Sequence, residues 1–172
     1  MSAPWYNPLQ LDHVGLVVAS CELGEGDYTP PFDLAGKTVL DVGATCGEVA
    51  YWYIKKYHAE KVVCVENDPA GLIYLRKNKA LMNIEIVEES FCVRHLEKFK
   101  CDFIKCDAEG QEMILLEYVA GGGVLPPTVV EAHTNWIRDQ FLKAGFKVKR
   151  CTNQTCTQVA CYVMTNYNQL GV

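Results

Sequence analysis

The 172-residue sequence has no apolar run approaching the ~20 residues of a membrane span, which excludes a helical crossing of the bilayer. It also lacks a basic n-region, and its first apolar run, Val14 to Ala19, is too short for a signal-peptide core, so a soluble, cytoplasmic protein is expected. With 16 Lys and Arg against 21 Asp and Glu, the formal charge is −5 and no basic stripe exists to follow a nucleic-acid backbone. The densest basic stretch, "KAGFKVKR" at Lys143 to Arg150, reads as the solvated edge of a helix and a strand. Nine cysteines are present, yet none forms a CxxC pair. Cys101 and Cys106, then Cys151, Cys156 and Cys161, recur at intervals of five, which suits neither zinc nor a disulfide scaffold. Cys64 and Cys106 lie inside apolar runs and read as small buried hydrophobes in a reducing compartment.

What remains is the material of one globular unit, 49% hydrophobic. Residues 1–36 are proline-punctuated, with one strand candidate (His13 to Ala19) and a Gly/Glu/Asp turn region (Glu22 to Asp27), and read as an N-terminal extension or flap. Residues 37–172 read as the main domain, in which strands and helices alternate. The expected strands are Thr38 to Val42, Lys61 to Glu66, Ile84 to Val87, Asp102 to Cys106, Thr128 to Ala132, Phe146 to Arg150 and Val159 to Thr165. The expected helices are Glu48 to Tyr57, a segment capped by Asp68-Pro69 and running to about Met82, Gln111 to Tyr118, and Asn135 to Ala144, stopped by Gly145. This order predicts an α/β fold, a Rossmann-like doubly wound and mostly parallel sheet with helices on both faces. In such sheets ligands bind beyond the carboxyl ends of the strands, where strand order reverses.

The first strand end, "LDVGATCGE", carries Asp41, Gly43, Ala44 and Gly47 in a D-x-G-x-x-x-G pattern. Its glycines allow a tight turn and close approach of a ligand, and the helix that follows offers N–H groups to an anion. It is not the dinucleotide fingerprint, because Thr45 stands where a glycine is needed. Alone the pattern is also ordinary turn chemistry. Glu66 at the tip of the second strand, followed by Asn67, supplies an acid able to accept hydrogen bonds from a ribose diol. Glu88, Glu89 and Ser90 end the third strand, and Glu89 or Ser90 could meet an adenine amino group. A glycine turn, a ribose acid and no P-loop lysine describe a site for an adenosine that bears a carboxylate, which S-adenosyl-L-methionine (SAM) fits.

Four segments, "VLDVGATCGEVAYW", "KVVCVENDPAGLIYLRKNKALMN", "DFIKCDAEGQEMILLE" and "VVEAHTNWIRDQFLKAGFKV", resemble class I SAM-dependent methyltransferases, and among them the FkbM-like family. The D-x-E-G-x-E element from Asp107 to Glu112 is its most specific part. The resemblance implies a seven-stranded sheet with the last strand antiparallel, Gly43 to Gly47 against the methionine moiety, and Glu66 on the ribose. It also implies Asp107 beside the methionyl amino group and the transferable methyl. Carboxylates near a sulfonium favour the cationic cofactor, and a second carboxylate can accept the proton of an acceptor hydroxyl. Glu109 is the leading candidate for that base or for positioning the acceptor, with His133 in the second place. Glu112 reads as a partner of the helix dipole, and Glu131 as deep enough in its strand to bond neighbouring backbone. An ion held by Asp107 with Glu131 or His133 ranks below a metal-free site, because no further carboxylate follows the fifth strand.

The acceptor expected is a hydroxyl on a small molecule or sugar; methylation of RNA or protein is the alternative within the fold. Amino-group methylation of bases is disfavoured, since the fourth strand ends in Asp107-Ala108-Glu109-Gly110 and not in N-P-P-Y or D-P-P-Y. The chain has no inserted cap, so its first 36 residues or a second subunit must cover the site. Trp5, Tyr6, Tyr28 and Phe32 are candidates for an aromatic lid, although aromatics beside prolines also simply pin a terminus. An exposed edge strand near the C-terminus permits a homodimer. Two other classes stay open: a SAM-binding partner subunit without turnover, and, more distantly, a nicotinamide-dependent oxidoreductase.

Overall fold

The computed structural model describes residues 6–12, 15–16, 19, 27–153 and 160–167. Seven strands, β1 (Thr38–Val42), β2 (Lys61–Val65), β3 (Ile84–Val87), β4 (Phe103–Cys106), β5 (Thr128–Ala132), β6 (Lys147–Asn153) and β7 (Ala160–Thr165), form one sheet in the order β3-β2-β1-β4-β5-β7-β6. The first five pair in parallel, and β7 runs antiparallel to both its neighbours. This is the Rossmann-like sheet expected from the sequence. The apolar, β-branched runs of β1, β2, β4 and β5 are buried almost end to end, as strands covered on both faces must be. Alternation divides their side chains between two cores. Val39 and Phe103 enter one with Trp52, Tyr53 and Leu75, while Leu40 and Ile104 enter the other with Leu115 and Phe141.

The helices are α1 (Glu48–Tyr57), α2 (Pro69–Asn78, extended by a 3-10 turn Lys79–Leu81), α3 (Val93–Lys98), α4 (Met113–Ala120) and α5 (Asn135–Lys143). Asp68 caps α2 by accepting from the Gly71 amide at 3.0 Å, with Pro69 in the first turn. Thr134 caps α5 by accepting from the Ile137 amide at 3.1 Å, and Gly145 stands past its end at φ +88°. Helix α3 was not expected; its cap is a reciprocal pair of Cys92 and His95. Helix α4 starts two residues later than expected, because Gln111 turns its side chain to the Phe91 amide. The strand expected over His13 to Ala19 is overturned where it can be seen: Gly15 and Leu16 are helical. Asp12 accepts from both their amides, with its side chain at 2.8 Å and its carbonyl at 3.1 Å, and so starts a turn. His13, Val14 and the turn region from Glu22 to Gly26 lie outside the described residues, as do Trp5 and Val159.

Strand order reverses at β1, which has β2 on one side and β4 on the other. Gly43 and Asp107 leave β1 and β4 side by side there. A Cβ on Gly43 would lie 1.7 Å from the Asp107 carbonyl oxygen, and φ at Gly43 is +70°. Only glycine lets the two exits close in this way. Residues 27–36 pack back onto the domain: Tyr28 and Leu34 are in its core, and Ala35 bridges to Ala59. Among the described residues five cysteines are free, of which Cys46, Cys64 and Cys106 are buried, and no helix is long and apolar enough to cross a membrane.

Candidate functional site

Beyond the carboxyl ends of β1, β2 and β4 lies a cavity of about 310 Å³. Of the residues singled out from the sequence, Gly43, Glu66, Asn67, Glu89, Asp107 and Glu109 line it. The others stand behind or beside it. Ala44 is buried under the loop, Gly47 faces Leu75 and Met82, and Ser90 accepts from the Asn67 side-chain amide at 2.9 Å. Asp41 is wholly buried, and His133 sits beyond Asp107.

Glu66 is tied down by backbone. One oxygen accepts from the amides of Asn67 (2.8 Å) and Asp68 (2.6 Å), the other from Thr45 (2.8 Å). A carboxylate offers about four acceptor positions, so room for about one further donor remains. The amides of Gly43, Ala44 and Gly47 are also spent inside the protein. Helix α1 has no side-chain cap at Gly47. Glu89 is held by Arg94 at 2.6 Å. Two non-glycine residues of the cavity wall, Thr45 (φ 44°) and Glu109 (φ 42°), are held in the left-handed region, as is His58 (φ 60°) at the end of α1, outside the cavity.

At the cavity floor Lys105, which lines it, and Asp41 beneath it are direct cross-strand neighbours on one face of the sheet. The Lys105 ammonium lies 3.3 Å from Asp41 and 4.0 Å from Asp107, and donates to the carbonyls of Gly43 (2.8 Å) and Val42 (3.3 Å). This explains a lysine inside an apolar strand. Burial acts to lower its pKa, but the carboxylates of Asp41, Asp107 and Glu48 outweigh burial and keep it a cation. Glu48, at the first turn of α1, is 1% exposed. Its Oε1 accepts from the Thr45 hydroxyl at 2.6 Å and its Oε2 has no partner. Burial, only partly offset by the Thr45 bond, pushes its pKa up to about 7.

On the other side of Asp107 a second group of charges meets. Tyr28 places its hydroxyl 2.6 Å from Glu131 Oε2 and 3.1 Å from Asp107 Oδ2. His133 bonds Asp107 Oδ1 through Nε2 (3.2 Å) and Glu112 through Nδ1 (2.9 Å). Burial alone would lower the pKa of His133; the bonds to Asp107 and Glu112 prevail and push it up to about 10. Burial likewise acts upward on Asp107, yet Lys105, His133 and Tyr28 together hold its pKa below the usual carboxylate value. Glu131 is raised, first by burial and then by the charge of Asp107.

Three expectations change. With both ring nitrogens donating, His133 has no lone pair for a proton and cannot serve as a base in this arrangement; it steers Asp107 instead. Glu112 does more than face a helix dipole: it is wholly buried, accepts from the Gly110 amide at 2.8 Å and holds His133. Glu131 bonds the Tyr28 hydroxyl and not neighbouring backbone. From sequence Tyr28 reads only as a lid aromatic, and Glu48 carries no signal. Lys105 carried the one visible signal, a charge within a buried strand.

No protein-family model matches the sequence, and no curated protein matches it. Solved structures do match in fold. Precorrin-6y C5,15-methyltransferase from Geobacter metallireducens aligns at a TM-score of 0.66 and 14% identity, over 92% of this chain and 92% of that one. TrmK from M. capricolum, in complex with S-adenosyl-homocysteine, aligns at 0.63 and 11% identity, over 87% and 69%. A ribosomal protein L11 methylase from Lactobacillus delbrueckii subsp. bulgaricus aligns at 0.53 and 16% identity, over 91% and 80%. The fold is therefore the Rossmann-like fold of class I methyltransferases.

Proposed function

We propose that the chain is a SAM-dependent methyltransferase that acts on a hydroxyl of a small molecule or sugar. One observation carries the reading: the switch-point cavity is walled by carboxylates, and the one basic side chain among its described lining residues, Lys105, is 2% exposed and spent on Asp41, Asp107 and two carbonyls. Such a site suits a cationic ligand and offers no counter-charge to a diphosphate, which disfavours a nicotinamide dinucleotide. The TrmK neighbour with bound S-adenosyl-homocysteine supports the same cofactor.

The residues present fit SAM. Glu66 and Asn67 would take the ribose, Glu89 and Ser90 the adenine edge, and Gly43 with Asp107 the methionine end. When bound, SAM supplies a methyl group on a sulfonium sulfur. Asp107, kept ionised by its neighbours, favours that positive charge. Glu109, exposed on the cavity wall, accepts the proton of the acceptor hydroxyl, and alignment does the rest. The D-x-E-G-x-E element that resembles the FkbM-like family acquires a physical role: Glu112 bonds the Gly110 amide and so sets the Glu109-Gly110 turn at the cavity edge.

A second reading has one observation in its favour. The Tyr28 hydroxyl bonds Glu131 and Asp107 and would keep an acceptor from both, which suits a SAM-binding protein without turnover. Calorimetric titration with SAM and with NAD, on the wild type and on Asp107→Asn, tests the cofactor. SAM binding that weakens at least tenfold in the variant, about 1.4 kcal/mol, is expected. Absence of SAM binding to the wild type refutes both readings. SAM binding without methyl transfer to any hydroxyl acceptor, in the wild type and in Tyr28→Phe, leaves the second.

A further inference from the structure

We propose that Asp107, Glu131 and His133 form a divalent-cation site at the acceptor end of the cavity. One ligand atom from each lies within 4.8 Å of the others. Bonds of about 2.1 Å to one ion place its ligand atoms roughly 3 to 4 Å apart, so small side-chain rotations close the three on an ion. They come from two adjacent strand ends, β4 and β5, on a rigid part of the sheet. The sequence favours a metal-free site because no further carboxylate follows β5; Glu131 within that strand makes up the count.

Two observations point to a cation. The first is a buried carboxylate, Glu131, to which neither nearby cation, Lys105 nor His133, makes a hydrogen bond. Tyr28 has a single hydroxyl proton, yet its oxygen lies 2.6 Å from Glu131 and 3.1 Å from Asp107, so one of the two contacts lacks a hydrogen. Glu131 is 6% exposed, and its Oε1 has no hydrogen-bond partner among the described residues. Lys105 is occupied by Asp41, Asp107 and the carbonyls of Val42 and Gly43, and His133 by Asp107 and Glu112. The second is the setting of His133. The wholly buried Glu112 holds its Nδ1 at 2.9 Å, so that Nε2 is the nitrogen aimed at the carboxylates, and the ion takes the place of the Nε2 proton, which is released to solvent. A buried carboxylate behind the far nitrogen is the arrangement that fixes metal-binding histidines. Two carboxylates and one imidazole suit Mn²⁺ or Zn²⁺ better than Ca²⁺ or Mg²⁺.

Ion binding stands apart from the methyltransferase reading; only its use rests on it. An ion here would hold an acceptor oxygen beside Asp107 and ease loss of its proton to Glu109. The test is a titration of the full chain with Mn²⁺ near neutral pH, without SAM, followed by electron paramagnetic resonance. One Mn²⁺ per chain is expected, displaced by Zn²⁺. Affinity should fall at least tenfold in Glu131→Gln and His133→Asn, fall about tenfold in the positioning variant Glu112→Gln, and stay unchanged in Glu97→Gln. No saturable uptake at ~1 mM Mn²⁺, or uptake that persists in folded Glu131→Gln and His133→Asn, overturns the site and points to a protonated Glu131 in its place. If those variants do not fold, Mn²⁺ broadening of the His133 ring resonances in the wild type decides alone. SAM binding is measured separately, so a failed ion site and a failed cofactor reading give different results.

Discussion

Replacing Glu48 with glutamine should make the protein more stable above neutral pH and bring no such gain in acid. The carboxyl is 1% exposed, and one of its oxygens is buried without a partner. Burial, set against the Thr45 hydroxyl bond, pushes its folded pKa to about 7 from an ordinary 4.5. An acid whose folded pKa is raised binds its proton more tightly in the folded chain. Its contribution is therefore fully present below about pH 4.5, is lost as pH climbs from there to about 7, and stays lost above. A gap of about 2.5 units at 1.36 kcal/mol each corresponds to roughly 3 kcal/mol. Glutamine removes that loss but brings an amide that needs acceptors, which costs about 1 to 2 kcal/mol where they are missing. The net gain at pH 8 is then about 1 to 2 kcal/mol, or several degrees in Tm for a chain of this size. Urea unfolding of wild type and variant at pH 5, 6, 7 and 8 measures it. The difference between the two should grow through this window and level off at its top. A difference that does not change with pH would refute the assignment of Glu48 as a buried acid that titrates near neutrality.

Further outcomes follow from the strand exits. Gly43→Ala puts a Cβ 1.7 Å from the Asp107 carbonyl at φ +70°, so β1 and β4 must part; a loss above ~3 kcal/mol in chemical unfolding is expected, and a variant as stable as the wild type would contradict that close approach. Lys105→Met leaves the wholly buried Asp41 unpaired and should cost about 3 to 5 kcal/mol. Asp41→Asn in the same chain should restore most of it, and a double-mutant cycle without coupling would show that the two do not act as a pair. Tyr28→Phe removes one hydroxyl from between two carboxylates; a stability change near 1 kcal/mol, with SAM binding retained, is expected from calorimetry and thermal melts.

Much of the fold is legible in the sequence because local signals and tertiary demands agree. β1, α1 and β5 have the expected bounds, each being an apolar run or face ended by glycine, histidine or a polar turn. Asp68-Pro69 marks the start of α2 for a reason confined to four residues, the cap to Gly71. Signals fail where they are short or distant. Six residues cannot display a helical period, so α3 leaves no trace. Over His13 to Ala19 an apolar run looks like a strand, and one side chain, Asp12, decides otherwise.

The candidate site divides along the same line. Gly43, Glu66, Asp107 and Glu109 are visible because a strand end followed by a turn is a local pattern, and all four reach the cavity. Tyr28 is not, since its partners are 79 and 103 positions away. Nor is the division of labour among like residues. Asp107, Glu109 and Glu112 look alike as three acids around one glycine, yet burial separates them. Glu112 is sealed and holds His133, Asp107 is held ionised between cations, and Glu109 alone stands open to the cavity. A strand end needs three carboxylates because one builds the turn, one sets the charge, and one is left to meet the acceptor. Exchange tests this ordering: Glu112→Gln should disturb the His133 resonances and the stability, whereas Glu109→Gln should change neither and lower only turnover. A loss of stability in Glu109→Gln equal to that in Glu112→Gln would dissolve the distinction.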